Sequence, residues 1–160
     1  MSEILVGSPA IDADSTASVL TIVNKSQPAN GTGKITTVEI WANAELSNCE
    51  VAIFRVVSGN NLSTVSTHTI GTVAAGSKQS FEVDLDVVEG DFIGMYYTAG
   101  TMERQTTLGD GWYAAGDNIP CTNVTFTVFA GMTVSLYGKG ETPVVGGGGG
   151  PASLVAAGVI

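Results

Sequence analysis

A two-residue alternation of apolar and polar side chains constrains the fold of this chain more than any other feature. It is clearest in residues 79–88, where apolar residues alternate with acidic ones: Phe81, Val83, Leu85 and Val87 against Glu82, Asp84 and Asp86. Successive side chains of a β-strand point to opposite faces, so one face of this strand is expected to join a core while the other meets water. Because no stretch of the sequence has a convincing helical period, the alternation predicts an all-β fold.

The same alternation, or a short apolar run, predicts further strands between turns rich in glycine, asparagine and serine. Their expected ranges are 18–23, 35–42, 49–57, 62–70, 92–98, 112–114, 124–129 and 132–138. Residues 49–57 are nearly apolar on both faces, as in a central strand, whereas residues 99–123 are expected to be irregular apart from the short strand at Trp112–Ala114. About eight strands at this spacing predict an antiparallel β-sandwich that is jelly-roll-like.

The sequence divides into a β-sandwich domain, residues 1–140, and an extended C-terminal tail, residues 141–160. The tail contains a run of glycines, Gly146–Gly150, and residues 151–160 carry no charged side chain. Such a glycine run is a flexible linker. An uncharged apolar segment gains free energy by leaving water, so the tail is expected to bind a groove or a sheet edge, either of its own domain or, as we favour, of a neighbouring copy.

Five residues are predicted to make the contacts of such an assembly. Four are large apolar residues of the tail, and the fifth is a tryptophan on the face of its strand opposite Val38 and Ile40. They are Leu154, Val155, Val159, Ile160 and Trp41. The tail would then act as a strap between subunits.

The charge balance excludes several classes of partner. The formal net charge is −9 and the sequence pI is about 4.2, so the chain is expected to repel phosphate groups and to bind no nucleic acid directly. No apolar run reaches the roughly 18 residues that a membrane-spanning helix needs. The first residues lack the basic and long apolar regions of a secretory signal, so synthesis in the cytoplasm without export by the general route is expected.

No enzyme, metal or cofactor site is predicted. The chain has a single histidine, His68, and two cysteines that lack metal-binding spacing. It contains no Gly-x-Ser-x-Gly motif, and no Gly-Lys-Ser/Thr follows the glycine run. Cys49 and Cys121 either bridge the two sheets or are two buried thiols, and the missing export signal favours the thiols.

Acidic residues cluster around the turn that ends residues 79–88. Asp84, Asp86, Glu89 and Asp91 include carboxylate pairs of the kind that bind calcium or act as acid and base. However, Asp84 and Asp86 share the water-facing side of one strand, and Glu89 and Asp91 flank a turn glycine. A solvated face with turn chemistry is therefore favoured.

A second group of residues has the chemistry of a sugar-binding site. These residues are Asp110, Trp112, Tyr113 and Asp117. An aromatic ring stacks on the apolar face of a sugar while carboxylates bind the hydroxyl groups. The alternative, which we favour, is that Trp112 and Tyr113 begin a short strand and pack inward.

Several turn and strand signatures between residues 5 and 140 carry a family resemblance. They are Gly7-Ser-Pro-Ala10, residues 30–42 (Asn-Gly-Thr-Gly-Lys-Ile-Thr-Thr-Val-Glu-Ile-Trp-Ala), Gly76-Ser-Lys-Gln79, Gly90-Asp-Phe-Ile-Gly94 and Ser135-Leu-Tyr-Gly138. This pattern resembles β-sandwich proteins common in environmental phage and metagenome sequences, and it implies a virion-associated or surface role. The step at residues 90–94 also looks like the late strand of jelly-roll modules used in adhesion and sugar binding.

Composition agrees with a role among neighbouring subunits. Charged residues make up only 13% of the chain, against about 25% in an average domain, and serine, threonine, asparagine and glycine take their place. The prediction is a structural subunit of a viral particle, such as a capsid decoration, tail or fibre component, that binds itself or other particle subunits and is located in the virion. The alternative is a carbohydrate-binding or adhesion module whose partners are glycans.

Overall fold

A computed structural model describes residues 2–143, and this part of the chain is all-β, without a helix. Its strands are β1 (Glu3–Gly7), β2 (Ser15–Ala17), β3 (Thr21–Asn24), β4 (Gly33–Ile40), β5 (Ala42–Ser58), β6 (Asn61–Val73), β7 (Gln79–Val87), β8 (Phe92–Tyr96), β9 (Ala99–Gln105), β10 (Gly111–Ala114), β11 (Val124–Thr125), β12 (Thr127–Phe129), β13 (Thr133–Val134) and β14 (Leu136–Glu141). The alternation in residues 79–88 is confirmed, because the acidic side chains of β7 are exposed while Val83, Leu85 and Val87 are buried.

The strands form two antiparallel sheets that pack face to face. The small sheet has the order β1-β14-β4-β7, and the large sheet follows the path β11-β6-β5-β8-β3-β10-β12. Strand β9 pairs with the first half of β5 and carries β2 and β13 on the same sheet. The predicted antiparallel β-sandwich is therefore confirmed, with one sheet much larger than the other.

The large sheet curls on itself because one short stretch pairs with strands far apart along its path. Val124 and Thr125 of β11 pair with β6, whereas β12 pairs with β10, and only Phe126 separates β11 from β12. In the path, β5, β8 and β3 lie between β6 and β10. A flat sheet would keep these two strands several strand spacings of about 4.8 Å apart. The sheet must therefore bend until β11 and β12 bridge its two sides.

The curl creates two separate hydrophobic clusters. The first lies between the sheets, where residues of the small sheet such as Ile35, Val38 and Leu85 meet residues of the large one such as Val51 and Ile53. The second lies on the concave side of the curled sheet: Val23, Ala52, Phe54, Leu62, Trp112, Ile119 and Phe126. Strand β5 separates the two clusters and contributes alternate residues to each. The prediction that residues 49–57 form a central strand is confirmed.

The two sheets are joined at a corner through which two strands pass. Trp41 is the single residue between β4 and β5, and Ser135 is the single residue between β13 and β14. The Trp41 N–H donates to Ser135 O (3.1 Å), the Ser135 N–H to Glu103 O (3.0 Å), and the Glu103 N–H to Trp41 O (3.3 Å). These three backbone bonds form a closed ring. They hold the corner where both strands change sheets, as in orthogonal sheet packing.

The Glu103 side chain adds to this corner. Glu103 is only 4% exposed. Its Oε1 accepts a hydrogen bond from the Ala13 N–H (2.9 Å), and its Oε2 accepts one from Asn43 Nδ2 (3.1 Å). Buried polar groups are costly unless they are hydrogen-bonded. Glu103 therefore fastens the segment before β2 to the start of β5.

The main error of the sequence prediction lies in residues 99–123, which were expected to be irregular beyond the short strand. Residues 99–105 form β9, which has partners on β2, β5 and β13. Only Met102 and Glu103 of β9 are buried, so it has no apolar alternation to detect. Strand β5 also begins at Ala42, well before residue 49, and β1 was missed.

The expected domain end at residue 140 falls within β14, which ends at Glu141. The predicted contacts of the tail, Leu154, Val155, Val159 and Ile160, lie outside the described residues.

Removing the Glu103 carboxylate should destabilise the fold. We expect Glu103→Ala to lower the free energy of unfolding by about 1–3 kcal/mol, because the half-buried Ala13 N–H loses its acceptor and the link to Asn43 Nδ2 is lost. Glu103→Gln, which keeps one acceptor oxygen, should lose about half as much. The exposed Glu45→Ala on the neighbouring strand is the control and should change stability by less than about 0.5 kcal/mol. Urea unfolding measures all three, and equal midpoints for Glu103→Ala and Glu45→Ala would contradict the assignment.

Candidate interaction surface

The structure places Trp112, the central residue of the predicted sugar site, inside the second cluster. It lies on β10, as predicted, and is 3% exposed. Its ring contacts Phe92 edge-to-face at 5.0 Å, Lys25 Nζ lies 5.1 Å from the ring centre, and its Nε1–H donates to Asn60 Oδ1 (3.0 Å). The inward-packing interpretation of Trp112 is confirmed, and this ring offers no open face on which a sugar could stack.

The other members of the predicted sugar site are not brought together. Asp110 precedes β10 and its Oδ1 accepts a bond from the Gly131 N–H (3.4 Å), whereas Asp117 lies beyond the other end of β10 and its Oδ1 accepts from the Ile119 N–H (2.9 Å). Tyr113 is partly exposed and contacts Phe129 edge-to-face at 5.9 Å. Glycan binding by Asp110, Tyr113 or Asp117 stays a prediction, without the tryptophan.

The acidic cluster around β7 separates into two kinds of carboxylate. Asp84 and Asp86 are exposed, and Lys34 Nζ lies 2.9 Å from an oxygen of each. Asp91 is 3% exposed and forms a two-point bond with Arg55, at 2.8 Å from Nε and 2.9 Å from Nη2. Its Oδ2 also accepts from the Val88 N–H (2.8 Å). The solvated-face interpretation therefore holds for Asp84 and Asp86, while Asp91 ties the end of β5 to the turn before β8.

Glu50 and Asp117 form a carboxylate pair that sequence spacing did not suggest. Glu50 lies on the concave face of β5, opposite Tyr96 of β8 and Thr69 of β6, and its Oε1 is buried without a hydrogen-bond partner among the described residues. Burial, and after it the nearby negatively charged Asp117, raise the pKa of Glu50. The pair sits where the connection after β10 covers one end of the second cluster.

The two cysteines are free thiols in the structure, as favoured from the sequence. Cys49 is fully buried in the first cluster, and burial raises the pKa of its thiol to about 12. Cys121 is partly exposed, and burial also raises the pKa of its thiol. High thiol pKa values disfavour the reactive thiolate.

Within residues 2–143 there is no pocket and no group of three or more histidine, cysteine, aspartate or glutamate side chains placed to hold a metal ion. No helix in the same residues is long and apolar enough to cross a membrane. Trp41, the predicted assembly contact in this part of the chain, is half-buried at the corner described above.

Exposed apolar side chains gather at one end of the curled sheet. We call them the apolar rim: Val56 (37% exposed), Val57 (53%), Val128 (42%) and Phe129 (40%). Val56 and Val57 lie near the tip of the β5–β6 hairpin. The hairpin turn bonds to the residue just before β12, the strand that carries the other two, since the Phe126 N–H donates to Asn60 O at 2.8 Å. The rim therefore combines two segments that are distant in sequence.

Two stretches of the chain without charged residues contribute the rim. The charges beside it are those of Arg55, next to Val56, and of Arg104, whose guanidinium lies 5.5 Å from the Phe129 ring centre. Residues 56–77 and residues 118–138 contain no aspartate, glutamate, lysine or arginine, and β11 and β6 pair where these stretches meet. The opposite surface is charged, because the outer face of the small sheet carries exposed acidic residues and their lysine partners. The uncharged stretches were visible in the sequence, but only the fold places them side by side.

Comparisons of this chain with models of protein families, with curated protein sequences and with solved structures found no match.

The Glu50–Asp117 pair predicts a specific pH dependence. A carboxyl group whose folded-state pKa is raised contributes stability below its ordinary pKa and loses that contribution as pH rises through the folded value. We therefore expect the melting temperatures of Glu50→Gln and the wild type to be similar near pH 4. As the pH rises towards 7, the melting temperature of Glu50→Gln should increasingly exceed that of the wild type.

Thermal unfolding followed by circular dichroism across this pH range measures the difference. Glu82→Gln, at an exposed position of β7, is the control and should give no such trend. A wild-type advantage over Glu50→Gln that grows with pH would contradict the pairing.

Proposed function

We propose that this protein is a structural subunit of a viral particle or a similar assembly, located in the virion, which oligomerises through its β-sandwich and its C-terminal tail. The observation that carries the proposal is the contrast between the charged outer face of the small sheet and two stretches that lie mostly in the large sheet, residues 56–77 and 118–138, and contain no charged residue. Copies of a protein with a net charge of −9 repel one another, so a stable contact between them needs a surface without like charges. The two stretches that form the apolar rim and its surroundings contain no acidic residue and meet that need.

The chemistry of the tail also supports this proposal. Residues 142–160 contain no charged side chain and include four large apolar residues after the glycine run: Leu154, Val155, Val159 and Ile160. Burying one such side chain contributes about 1.5–3 kcal/mol. If a neighbouring copy covers this segment, the contact therefore gains this free energy for each of the several apolar side chains that it buries.

The family resemblance described above adds the viral particle as the setting, and the confirmed β-sandwich agrees with it. Folds of this kind serve many functions, so the assembly itself has to be tested.

The proposal predicts a tail-dependent oligomer. We expect the full chain to form a defined oligomer in light scattering at micromolar concentration, and the full-length variant Leu154→Asp/Val159→Asp to be monomeric, because each added carboxylate would have to leave water on binding. The control Gly146→Asp/Gly148→Asp adds the same charge within the linker and should keep the oligomer. A monomeric wild-type chain would contradict the role of the tail as a strap.

A further inference from the structure

We propose that the apolar rim binds residues 152–160 of a second copy, which add as a strand along the free edge of β12. The inference rests on the proposed function and names the surface that receives the tail.

Within residues 2–143, the outer edge of β12 has backbone groups without a partner strand. The Lys25 N–H donates to Asp110 O, so even-numbered residues of β10 direct their backbone groups towards β3 and odd-numbered ones towards β12. Val128 pairs with Trp112, and its N–H and C=O therefore point away from β10. Two residues earlier, the backbone N–H of Phe126 points to the same side and donates to Asn60 O, at the turn where the β5–β6 hairpin ends. From Val128 onwards the hairpin supplies no partner on this edge.

This edge also lacks the features that protect other edges. Exposed edge strands usually carry charged residues or proline, which prevent pairing with another chain. Strand β7, the edge of the small sheet, presents Glu82, Asp84 and Asp86 to water. Strand β12 has neither charge nor proline, and all of its residues are exposed. It is an open template for an added strand.

The side chains of the tail match those of β12. Neighbouring residues of a strand point to opposite faces, so Val128 and Phe129 present one apolar side chain on each face. The pairs Leu154-Val155 and Val159-Ile160 would do the same from an added strand. Cross-strand apolar contacts could then form on both faces at once.

The tail leaves the fold at the end that carries the rim. Thr142 lies against Gly31, near Ala29, whose N–H donates to Asp91 O at 2.7 Å. Asp91 in turn holds Arg55, the residue before Val56. Residues 144–151 span at most about 28 Å when extended. Two copies that face each other with these ends can exchange tails reciprocally, which closes a symmetric dimer.

Substitution of one rim residue tests the inference. We expect Val128→Lys to raise the dissociation constant of the oligomer at least tenfold in light scattering or analytical ultracentrifugation, because a strand that covers the edge would bury the added charge. Val19→Lys is the matched control, since Val19 is 38% exposed but precedes the opposite end of β3. It should leave the dissociation constant unchanged. Circular dichroism checks that both variants keep the fold.

A mixing experiment identifies the source of the tail. The full-length copy Leu154→Asp/Val159→Asp has an intact rim, and the Val128→Lys copy has an intact tail. At a concentration below the raised dissociation constant of Val128→Lys, each should be monomeric alone, and their mixture should give a one-to-one complex held by one exchanged tail.

The outcomes separate this inference from the proposed function. If the wild type oligomerises through its tail but Val128→Lys does so equally well, the proposed function stands and the rim is not the acceptor. If Val128→Lys is monomeric but the mixture gives no complex, tail exchange on the rim is overturned. If the wild-type chain is a monomer, both proposals fail.

Discussion

The ring of backbone hydrogen bonds among Trp41, Ser135 and Glu103 is the constraint on which the rest of the structure depends. Two strand pairs, β4–β5 and β13–β14, pass from one sheet to the other at this corner, with a single residue to make each change. Neither junction residue can bond within a regular ladder. The ring satisfies their backbone groups with each other and with β9, so both sheets can share strands while the backbone groups of the two junction residues stay paired. The buried carboxylate of Glu103 then anchors the segment before β2 to the same corner.

The curl of the large sheet follows from how the strands are distributed after this corner. Strand β5 is long enough to pair with β9 in its first half and with β6 and β8 in its second half. The second half of β5 therefore belongs to the curled part of the sheet, which closes around the side chains of the second cluster. Phe126 points into that space, 2% exposed and edge-to-face with Phe54 at 5.8 Å. The bridging stretch that carries Phe126 also leaves β12 beyond the hairpin tip, which is why no other described strand pairs with its outer edge.

Much of this fold could be predicted from local pattern, because alternation reports burial on one face of a strand. That is the case for β7, and the apolar run in β5 correctly indicated a strand buried on both faces. The pattern failed where backbone pairing rather than side-chain burial holds a strand, as in β9. Asp91 shows a similar limit: it looked like one more turn aspartate, and only the three-dimensional structure places Arg55 across from it. Long-range pairing of this kind leaves no local signal.

The sequence analysis did not predict the apolar rim, although part of its chemistry is visible in the sequence. The lack of charge in residues 56–77 and 118–138 was present in the sequence, yet each stretch alone also contains buried strand residues that explain its apolar character. Trp112 shows the problem, since the same aromatic residue suits a sugar site or a core, and its 3% exposure decides for the core. Once β5, β6, β10 and the bridging stretch are in place, four of the large apolar residues that the two clusters do not absorb are those of the rim. An acidic chain that protects β7 with carboxylates but leaves β12 bare and apolar has an edge suited to a partner, and its own uncharged tail has the matching chemistry.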